Sequence, residues 1–212
     1  MNGIVLFGAG SPICADVAET CRRNGHAIVA AIRNVSGAVY VDASVRVIEA
    51  ADVTPDLALV PFVLPLFGPQ NRRIALAAAT GLGFRNPAQL VDCTAIVAGD
   101  CRIAAGAYVN AGCIIGSGTK LDAFAFCNRG ANIGHHCWIG GFASIGPGVV
   151  LAGSVTIGED SQIGAGATIL PKVTIGARAV VAPGAVVARA VPDGGFAAGN
   201  PARILARPAA QD

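Results

Sequence analysis

A six-residue repeat runs through the second half of the chain and constrains its fold more than any other feature. Every sixth residue from Val91 to Val187 is aliphatic or cysteine, and a small residue such as Ala95 or Cys101 often follows four positions later. Neither the 3.6-residue period of a helix nor the two-residue alternation of a strand fits this spacing. A period of six is typical of a solenoid in which each hexad forms one short strand and one turn, and three hexads close a triangular coil.

Cysteine usage agrees with a packed solenoid. Four of the seven cysteines fall on inward positions of the repeat, which favours a packing role over a reactive one: Cys101, Cys113, Cys127 and Cys137. The number of cysteines is odd and no Cys-x-x-Cys pair occurs, so neither a disulfide framework nor a zinc ribbon is indicated.

The first half of the chain alternates strand-like and helix-like segments. Strands are predicted in "GIVLFGAGSP", "HAIVAAIRN" and "DLALVPFVL", and helices in "CADVAETCRRNG" and "NRRIALAAATGLG". This alternation predicts a small parallel sheet with a ligand site at the carboxyl ends of its strands. We therefore expect an α/β, Rossmann-like domain over residues 1–82, followed by a parallel β-helix with a C-terminal cap over residues 83–212.

Composition limits the partners of the chain. A net charge of +2 without a basic run gives no electrostatic footprint for nucleic acid. No apolar stretch approaches the roughly 20 residues that span a bilayer, so no membrane insertion is expected. The start "MNGIVLFGAGSP" lacks the features of a signal peptide, which predicts a cytoplasmic protein.

Two of the three histidines are adjacent, in the segment "ANIGHHCWIGG". Residues 18 apart occupy one column on successive coils, about 4.8 Å apart, so Gly153 is expected over His135. A base for an attacking amine and a backbone N–H for a developing oxyanion, on neighbouring coils, suit acyl transfer from a thioester. Lys172 and Arg189 come two to three coils further on, about 10 to 15 Å away, where they would meet the phosphates of coenzyme A.

The order of the two units resembles the bacterial nucleotide-sugar N-acyltransferases of the sialic-acid-pathway and bacillosamine types. The resemblance covers essentially the whole chain and is most specific in "CNRGANIGHHCWIGGFASIGPGVVLAGSVTIG" and "AAGNPARIL". It implies a left-handed coil and a homotrimer. It also implies transfer of an acyl group, expected to be acetyl, from acetyl-CoA to the amine of a nucleotide-linked amino sugar, without a metal.

By this resemblance His135 is the general base, Asn128 a polar active-site residue and Gly153 the amide that meets the thioester carbonyl. The family has an acidic residue directly after the base and a second histidine nine residues on, where this chain has His136 and Ser144. A neutral histidine does not favour the protonated base as a carboxylate does, and a charged one opposes it. Either another carboxylate, for instance from a neighbouring subunit, takes that role or the base is weaker. We keep His136 as a catalytic candidate and Ser144 as a coenzyme A contact.

The first domain departs from the family as well. The turn "GAGS" offers the backbone amides of Gly8, Ala9, Gly10 and Ser11 to a nucleotide, but it also suits a plain strand-to-helix turn. The family's acidic residues after the second strand are replaced by Arg33 and Asn34. A guanidinium only donates hydrogen bonds, so Arg33 suits a phosphate.

Alternatives remain at this point. The chain could acylate a different small amine or a hydroxyl, or it could be a non-catalytic homologue that binds a nucleotide sugar or acts as a scaffold. The histidine pair could be a solvated corner, and Lys172 and Arg189 ordinary surface charges. A zinc carbonic anhydrase on this solenoid needs three histidine ligands, which cannot be assembled there because His26 lies in the first half.

Overall fold

The computed structural model describes residues 3–206, in two units that follow each other along the chain. Residues 1–2 and 207–212, the outer ends of the two predicted domains, lie outside the described residues. No helix within residues 3–206 is both long and apolar enough to cross a membrane. The architecture confirms the predicted fold class, an α/β unit followed by a β-helix of hexapeptide repeats.

The first unit is a parallel sheet with the strand order β3-β2-β1-β4. Its elements are β1 (Gly3–Phe7), α1 (Ile13–Arg23), β2 (Ala27–Arg33), β3 (Val47–Glu49), a 3-10 turn (Ala50–Asp52), α2 (Pro55–Ala58), β4 (Phe62–Val63) and α3 (Pro69–Gly81). The two predicted helices and the first two predicted strands are confirmed. The central strand β1 is buried from Ile4 onwards, which explains its uninterrupted apolar run.

The third predicted strand is wrong in its first half. Thr54 accepts a hydrogen bond from Leu57 N, and Pro55 begins α2, so "PDLA" forms a helical turn. Only Phe62 and Val63 pair with β1. The strand β3 pairs with the outer edge of β2 and was not predicted from the sequence.

The second unit is a β-helix whose two-residue strands recur every six residues without interruption. They are β5 (Leu90–Val91), β6 (Ile96–Val97), β7 (Arg102–Ile103), β8 (Tyr108–Val109), β9 (Ile114–Ile115), β10 (Lys120–Leu121), β11 (Phe126–Cys127), β12 (Asn132–Ile133), β13 (Trp138–Ile139), β14 (Ser144–Ile145), β15 (Val150–Leu151), β16 (Thr156–Ile157), β17 (Gln162–Ile163), β18 (Thr168–Ile169), β19 (Thr174–Ile175), β20 (Val180–Val181) and β21 (Val186–Val187). The strands β22 (Phe196–Gly199) and β23 (Ala202–Leu205) form an antiparallel cap.

Three flat faces and three corners define the β-helix. Face 1 contains β5, β8, β11, β14, β17, β20, β22 and β23, face 2 contains every third strand from β6 to β21, and face 3 every third strand from β7 to β19. Strands 18 residues apart pair in parallel, as Asn132 does with Val150. We call the turns from face 1 to 2, from 2 to 3 and from 3 to 1 corners 1, 2 and 3.

The second residue of each strand points into the β-helix and forms its core. From Val109 to Val187 these side chains are buried, and the thiols of Cys113, Cys127 and Cys137 are buried with them. Cys101, near the first coil, is half-buried. Burial raises the pKa of the Cys113 thiol to about 11, so it is an uncharged packing group at neutral pH. The predicted packing role of these cysteines is confirmed.

The first unit covers face 1. Leu90, Tyr108 and Phe126 on that face share one apolar cluster with Leu6 and Val17 of the first unit. Polar contacts at both edges complete the interface. At corner 1 the buried carboxylate of Asp92 accepts hydrogen bonds from Thr20 Oγ1 at 2.7 Å and from Arg23 Nη2 at 2.5 Å.

The same carboxylate is held in its charged form. Burial alone would raise the pKa of Asp92, but hydrogen bonds from Arg23, Thr20 and Thr94 outweigh burial and keep that pKa well below its usual range. The stabilisation that this carboxylate contributes is therefore present at neutral pH and is lost only in acid.

Candidate active site

The histidine pair lies at corner 2, between β12 and β13, and both rings are exposed. The Nδ1 atoms of His135 and His136 are 3.0 Å apart, and the two rings meet edge to face with their centroids 5.2 Å apart. One imidazole therefore donates to the other through Nδ1, which gives each ring a defined orientation.

Gly153 lies directly over His135, as the 18-residue spacing predicts. Ser154 N donates to His135 O at 2.8 Å, which links the two coils. A Cβ atom at Gly153 would lie only 2.5 Å from His135 Nε2, so the ring of His135 occupies the space that any larger residue would need. Within the described residues Gly153 N donates to no acceptor. Nε2 and a free backbone N–H thus lie side by side on successive coils.

Two cations follow on the coils beyond Gly153. Lys172 N donates to Gly153 O at 3.0 Å, which continues the ladder, and Arg189 comes one coil later. Both side chains are exposed, and in the part of the chain that the structure describes neither pairs with a carboxylate. Their charges are therefore available to an anion two to three coils from His135.

Asn128 is at corner 1, across face 2 from His135. Its Oδ1 accepts from Asn110 Nδ2 at 3.0 Å and from Arg129 N at 2.8 Å. Asn110 precedes Asn128 by 18 residues, so this internal amide ladder could have been found from the spacing alone. Within one chain, Asn128 and His135 are at opposite edges of face 2 and do not meet.

Ser144 is on face 1, under the first unit. Its hydroxyl donates to Phe67 O at 2.5 Å and accepts from Arg72 Nη2 at 2.9 Å, and the residue is completely buried. The structure therefore places Ser144 in the contact between the two units, away from corner 2, with both hydrogen-bonding roles of its hydroxyl in use.

A cavity of about 680 Å³ opens at the carboxyl end of β1, lined among others by Gly8, Gly10, Ser11 and Asn34. This is the edge at which parallel sheets bind ligands. Gly8 has a φ of +117°, which a residue with a side chain rarely adopts, so the turn requires glycine here. The cavity is large enough for part of a nucleotide sugar.

Most of the predicted amide donors in this turn are already in use. Gly8 N and Ala9 N both donate to Ile32 O, and Ser11 N donates to Gly8 O. Of the four amides only Gly10 N has no acceptor among the described residues. An anion-binding nest made of all four amides is therefore not formed, because the turn consumes three of them.

The charge of Arg33 is also compensated. Its guanidinium forms an ion pair with Glu49 of the neighbouring strand, with Arg33 Nε 2.7 Å from Glu49 Oε1. Both residues line a second cavity of about 420 Å³ that shares Asn34 with the first. The sequence interpretation missed Glu49, which supplies an acidic group at the end of β3, whereas the family's acidic residues follow the second strand.

No group of three or more histidine, cysteine, aspartate or glutamate side chains within residues 3–206 could hold a metal ion.

The chain is similar to known acetyltransferases. Residues 154–189 match the family model described as bacterial transferase hexapeptide (six repeats). PerB from Caulobacter crescentus, solved with CoA and GDP-perosamine, is 31% identical, with 97% of this chain and 98% of that chain covered and a TM-score of 0.88. The acetyltransferase domain of PglB from Neisseria gonorrhoeae, solved with acetyl coenzyme A, is 28% identical, with 97% and 100% covered and a TM-score of 0.84.

A further structure supports the fold alone. WeeI from Acinetobacter baumannii is 22% identical over 97% of this chain and 100% of its own, with a TM-score of 0.72. A comparison with curated protein sequences gives no significant match.

Proposed function

The chain belongs to the hexapeptide-repeat nucleotide-sugar N-acetyltransferases, which depend on coenzyme A, and we propose that it transfers an acetyl group from acetyl-CoA to the amine of a nucleotide-linked amino-deoxy sugar. The observation that carries this proposal is the stacking of the His135 ring on Gly153. It puts a basic nitrogen beside an unused backbone N–H on the adjacent coil, with His135 Nε2 only 2.5 Å from where a Cβ atom of Gly153 would lie. Acyl transfer to an amine needs both groups.

In the proposed reaction His135 Nε2 accepts the proton that the sugar amine loses as its nitrogen bonds to the thioester carbonyl carbon. Gly153 N–H donates to the carbonyl oxygen while negative charge develops on it. His135 then returns the proton to the departing thiolate as the C–S bond breaks. Acetyl-CoA supplies the activated acyl group, and Lys172 and Arg189 would hold its phosphates.

The proposed site has two halves, the nucleotide cavity of the first unit and the base at corner 2, and these are on different sides of one chain. The cavity at Gly8 and Ser11 belongs to the unit that covers face 1, whereas His135 is at corner 2, on the opposite edge of the β-helix. A nucleotide bound in the cavity would lie over face 1, whereas His135 is at the corner between the other two faces of the same chain. We infer that the site is completed by another copy.

Face 2 is the surface that fits such a copy. Its outward side chains include Ile96, Ile114 and Val150, which are 68%, 44% and 41% exposed. The apolar row is interrupted by Asn132, and the corresponding positions on face 3 include the charged Arg102 and Lys120 besides the exposed Trp138. An apolar stripe along one face of a solenoid is typical of a contact between subunits.

Threefold symmetry with face 2 towards the axis would bring the site together. In that arrangement corner 2 of each copy lies beside corner 1 of the next. Asn128 and the first unit, which reaches corner 1 through the Asp16–Arg129 ion pair, would then lie next to His135 of the neighbour. The proposed homotrimer thus explains why Asn128, the cavity and His135 are separated within one chain.

We expect mixed trimers to regain activity. Chains with His135→Ala lack the base, and chains with Ser11→Asp keep an acceptor for Ile13 N but place a negative charge where nucleotide phosphates would bind. In trimers co-assembled at random from equal amounts, a site with both intact halves forms with a probability of about one quarter. Coupled assays of the purified mixture should therefore show about a quarter of the native activity.

Each variant alone should be nearly inactive, and light scattering should give three chains per particle. A monomer at assay concentration, or a mixture no more active than its components, would contradict the shared site.

The acceptor is tested with a panel of nucleotide-linked amino sugars. Mass spectrometry should show addition of one acetyl group to at least one of them, with loss of the free amine. Free amino sugars without the nucleotide should react poorly, because the cavity of the first unit would be empty. Acetylation only of an unrelated amine or of a hydroxyl would instead support the second candidate, an acyltransferase with another acceptor.

A further inference from the structure

Three residues of one column connect the histidine pair to a carboxylate. Asp100, Gly118 and His136 are spaced 18 apart and occupy successive coils at corner 2. A Cβ atom at Gly118 would lie 2.9 Å from His136 Cδ2 and 3.1 Å from His136 Nε2. The imidazole of His136 therefore leans back over Gly118, with the edge that carries Nε2 turned towards the preceding coil.

Asp100 reaches the other side of Gly118. Its Oδ2 accepts a hydrogen bond from Ser117 Oγ at 2.7 Å. This bond, the N–H of Gly118 and, in smaller measure, the imidazole of His136 lower the pKa of Asp100, so it is charged at neutral pH. Asp100 and His136 form no direct ion pair in the described structure. They lie on either side of Gly118, which has no side chain to separate them, and a water between them would accept from His136 Nε2 and donate to Asp100.

We call the series His135, His136 and Asp100 the line. The catalytic role of His135 decides which atoms donate and accept hydrogen bonds along it. If His135 Nε2 is to accept a proton, its other nitrogen must carry the hydrogen, so His135 Nδ1 donates to His136 Nδ1. The remaining hydrogen of His136 is then on Nε2, the nitrogen turned towards Asp100. A carboxylate only accepts, so it favours this tautomer over the reverse one.

We propose that Asp100 and His136 are positioning residues that fix the tautomer of His135 and stabilise its protonated form, in place of the single acidic neighbour of the base in related enzymes. This inference rests on the proposed function of His135. No proton passes along the line: His135 Nε2 takes and returns the substrate proton, while Asp100 stays charged and polarises His136. A neutral His136 can take the place of the acidic neighbour, contrary to the expectation from the sequence, because its Nδ1 accepts the hydrogen bond of the base.

Other charged groups near the line have different positions. Lys172 lies two coils beyond His136 on the side away from Asp100, and Lys120 and Arg102 begin strands of face 3 beside corner 2. The thiol of Cys137 is inside the corner, and burial raises its pKa, so it adds no charge. Asp100 is thus the carboxylate that shares a column with His136, and the cations near the pair would otherwise oppose its protonation.

A double-mutant cycle tests the line. Asp100→Asn is expected to lower kcat by about tenfold, the loss typical when the group that orients a histidine is removed. The acidic limb of the kcat/KM profile should also move to lower pH by about half a unit. In a His136→Glu background a carboxylate accepts directly from His135 Nδ1 and takes over the role of Asp100. There Asp100→Asn should change kcat by less than about twofold.

Nitrogen NMR gives a readout without catalysis. In the native protein labelled at its three histidines, His136 should be protonated at Nε2 and His135 at Nδ1, and Asp100→Asn should abolish this preference. Asp122→Asn is the matched control, because it removes a carboxylate bonded to Trp138 Nε1 at corner 3 and leaves the line intact. That variant should preserve the tautomers and the pH profile.

The outcomes separate the two proposals. If Asp100→Asn lowered kcat equally in the native and His136→Glu backgrounds, or left the histidine tautomers unchanged, the positioning role would be overturned even if His135 proved essential. A fully active His135→Ala enzyme would overturn the base itself, whatever the NMR spectrum shows.

Discussion

Replacement of His135 by alanine is expected to lower kcat by about 10²- to 10⁴-fold, the range for loss of a general base. The Michaelis constant for acetyl-CoA should change little, because the proposed phosphate contacts of Lys172 and Arg189 lie two to three coils away. The fold should persist, since the imidazole is exposed and lies outside the core. Steady-state kinetics at saturating donor, with circular dichroism of both proteins, measures each of these quantities.

His26→Ala provides the control for this experiment. His26 is in the first unit, directly before β2, and contributes nothing to corner 2. Its loss should leave kcat within about twofold of the native value, as is usual for surface substitutions. A folded His135→Ala enzyme with near-normal turnover would mean that the histidine pair is only a solvated corner of the coil.

The β-helix could be predicted from the sequence because its core is periodic. Each inward residue contacts residues 6 and 18 positions away, so one short pattern repeated through "VTIGED" and its neighbours specifies the whole unit. The 18-residue spacing of successive coils also predicts the stacking of His135 on Gly153. The same spacing predicts the hydrogen bond between Asn110 and Asn128, which the sequence interpretation missed.

The first unit was less predictable because its contacts are not periodic. The pairing of β3 with β2 and the ion pair between Arg33 and Glu49 join segments that no sequence spacing relates. The turn at Gly8 was recognised as a turn, yet its sequence could not show that three of its four amides are consumed by backbone acceptors. Local composition predicts where a turn occurs, whereas its free donors depend on the strand beside it.

The contact between the units was missed for a related reason. Ser144 was interpreted as a coenzyme A contact because it stands nine residues after the base, where the family has a second histidine. Position in the repeat determines which face a residue occupies, but not what covers that face. Ser144 lies under α3, which carries two adjacent arginines, and only the structure shows that Arg72 is buried while Arg73 is half-exposed.

Arg72 is the polar centre of this contact. Only 1% of it is exposed, and it reaches backbone carbonyls on both sides of the interface. Arg72 Nη1 donates to Leu66 O at 2.7 Å and to Phe67 O at 2.6 Å, within the first unit. On the β-helix the guanidinium donates to Ser144 Oγ and to three backbone carbonyls: Phe124 O, Phe142 O and Ala143 O. Burial lowers its pKa to about 9, so Arg72 still carries its charge at neutral pH.

Replacement of Arg72 by methionine is expected to destabilise the contact between the units by about 3 to 5 kcal/mol, because it leaves several buried carbonyl oxygens without donors. Arg72→Lys should lose nearly as much stability, since a single ammonium group cannot replace a planar guanidinium whose nitrogens donate to both units. The neighbouring Arg73→Met is the matched control: it breaks a half-exposed ion pair with Asp160 and should cost about 1 kcal/mol or less.

Urea denaturation followed by hydrogen exchange should show α3 of the Arg72 variants opening at low denaturant while the coils of the β-helix remain protected, because each coil is stabilised by its neighbours. Equal losses from the two methionine variants would mean that the apolar cluster on face 1, rather than the buried guanidinium, holds the first unit against the β-helix.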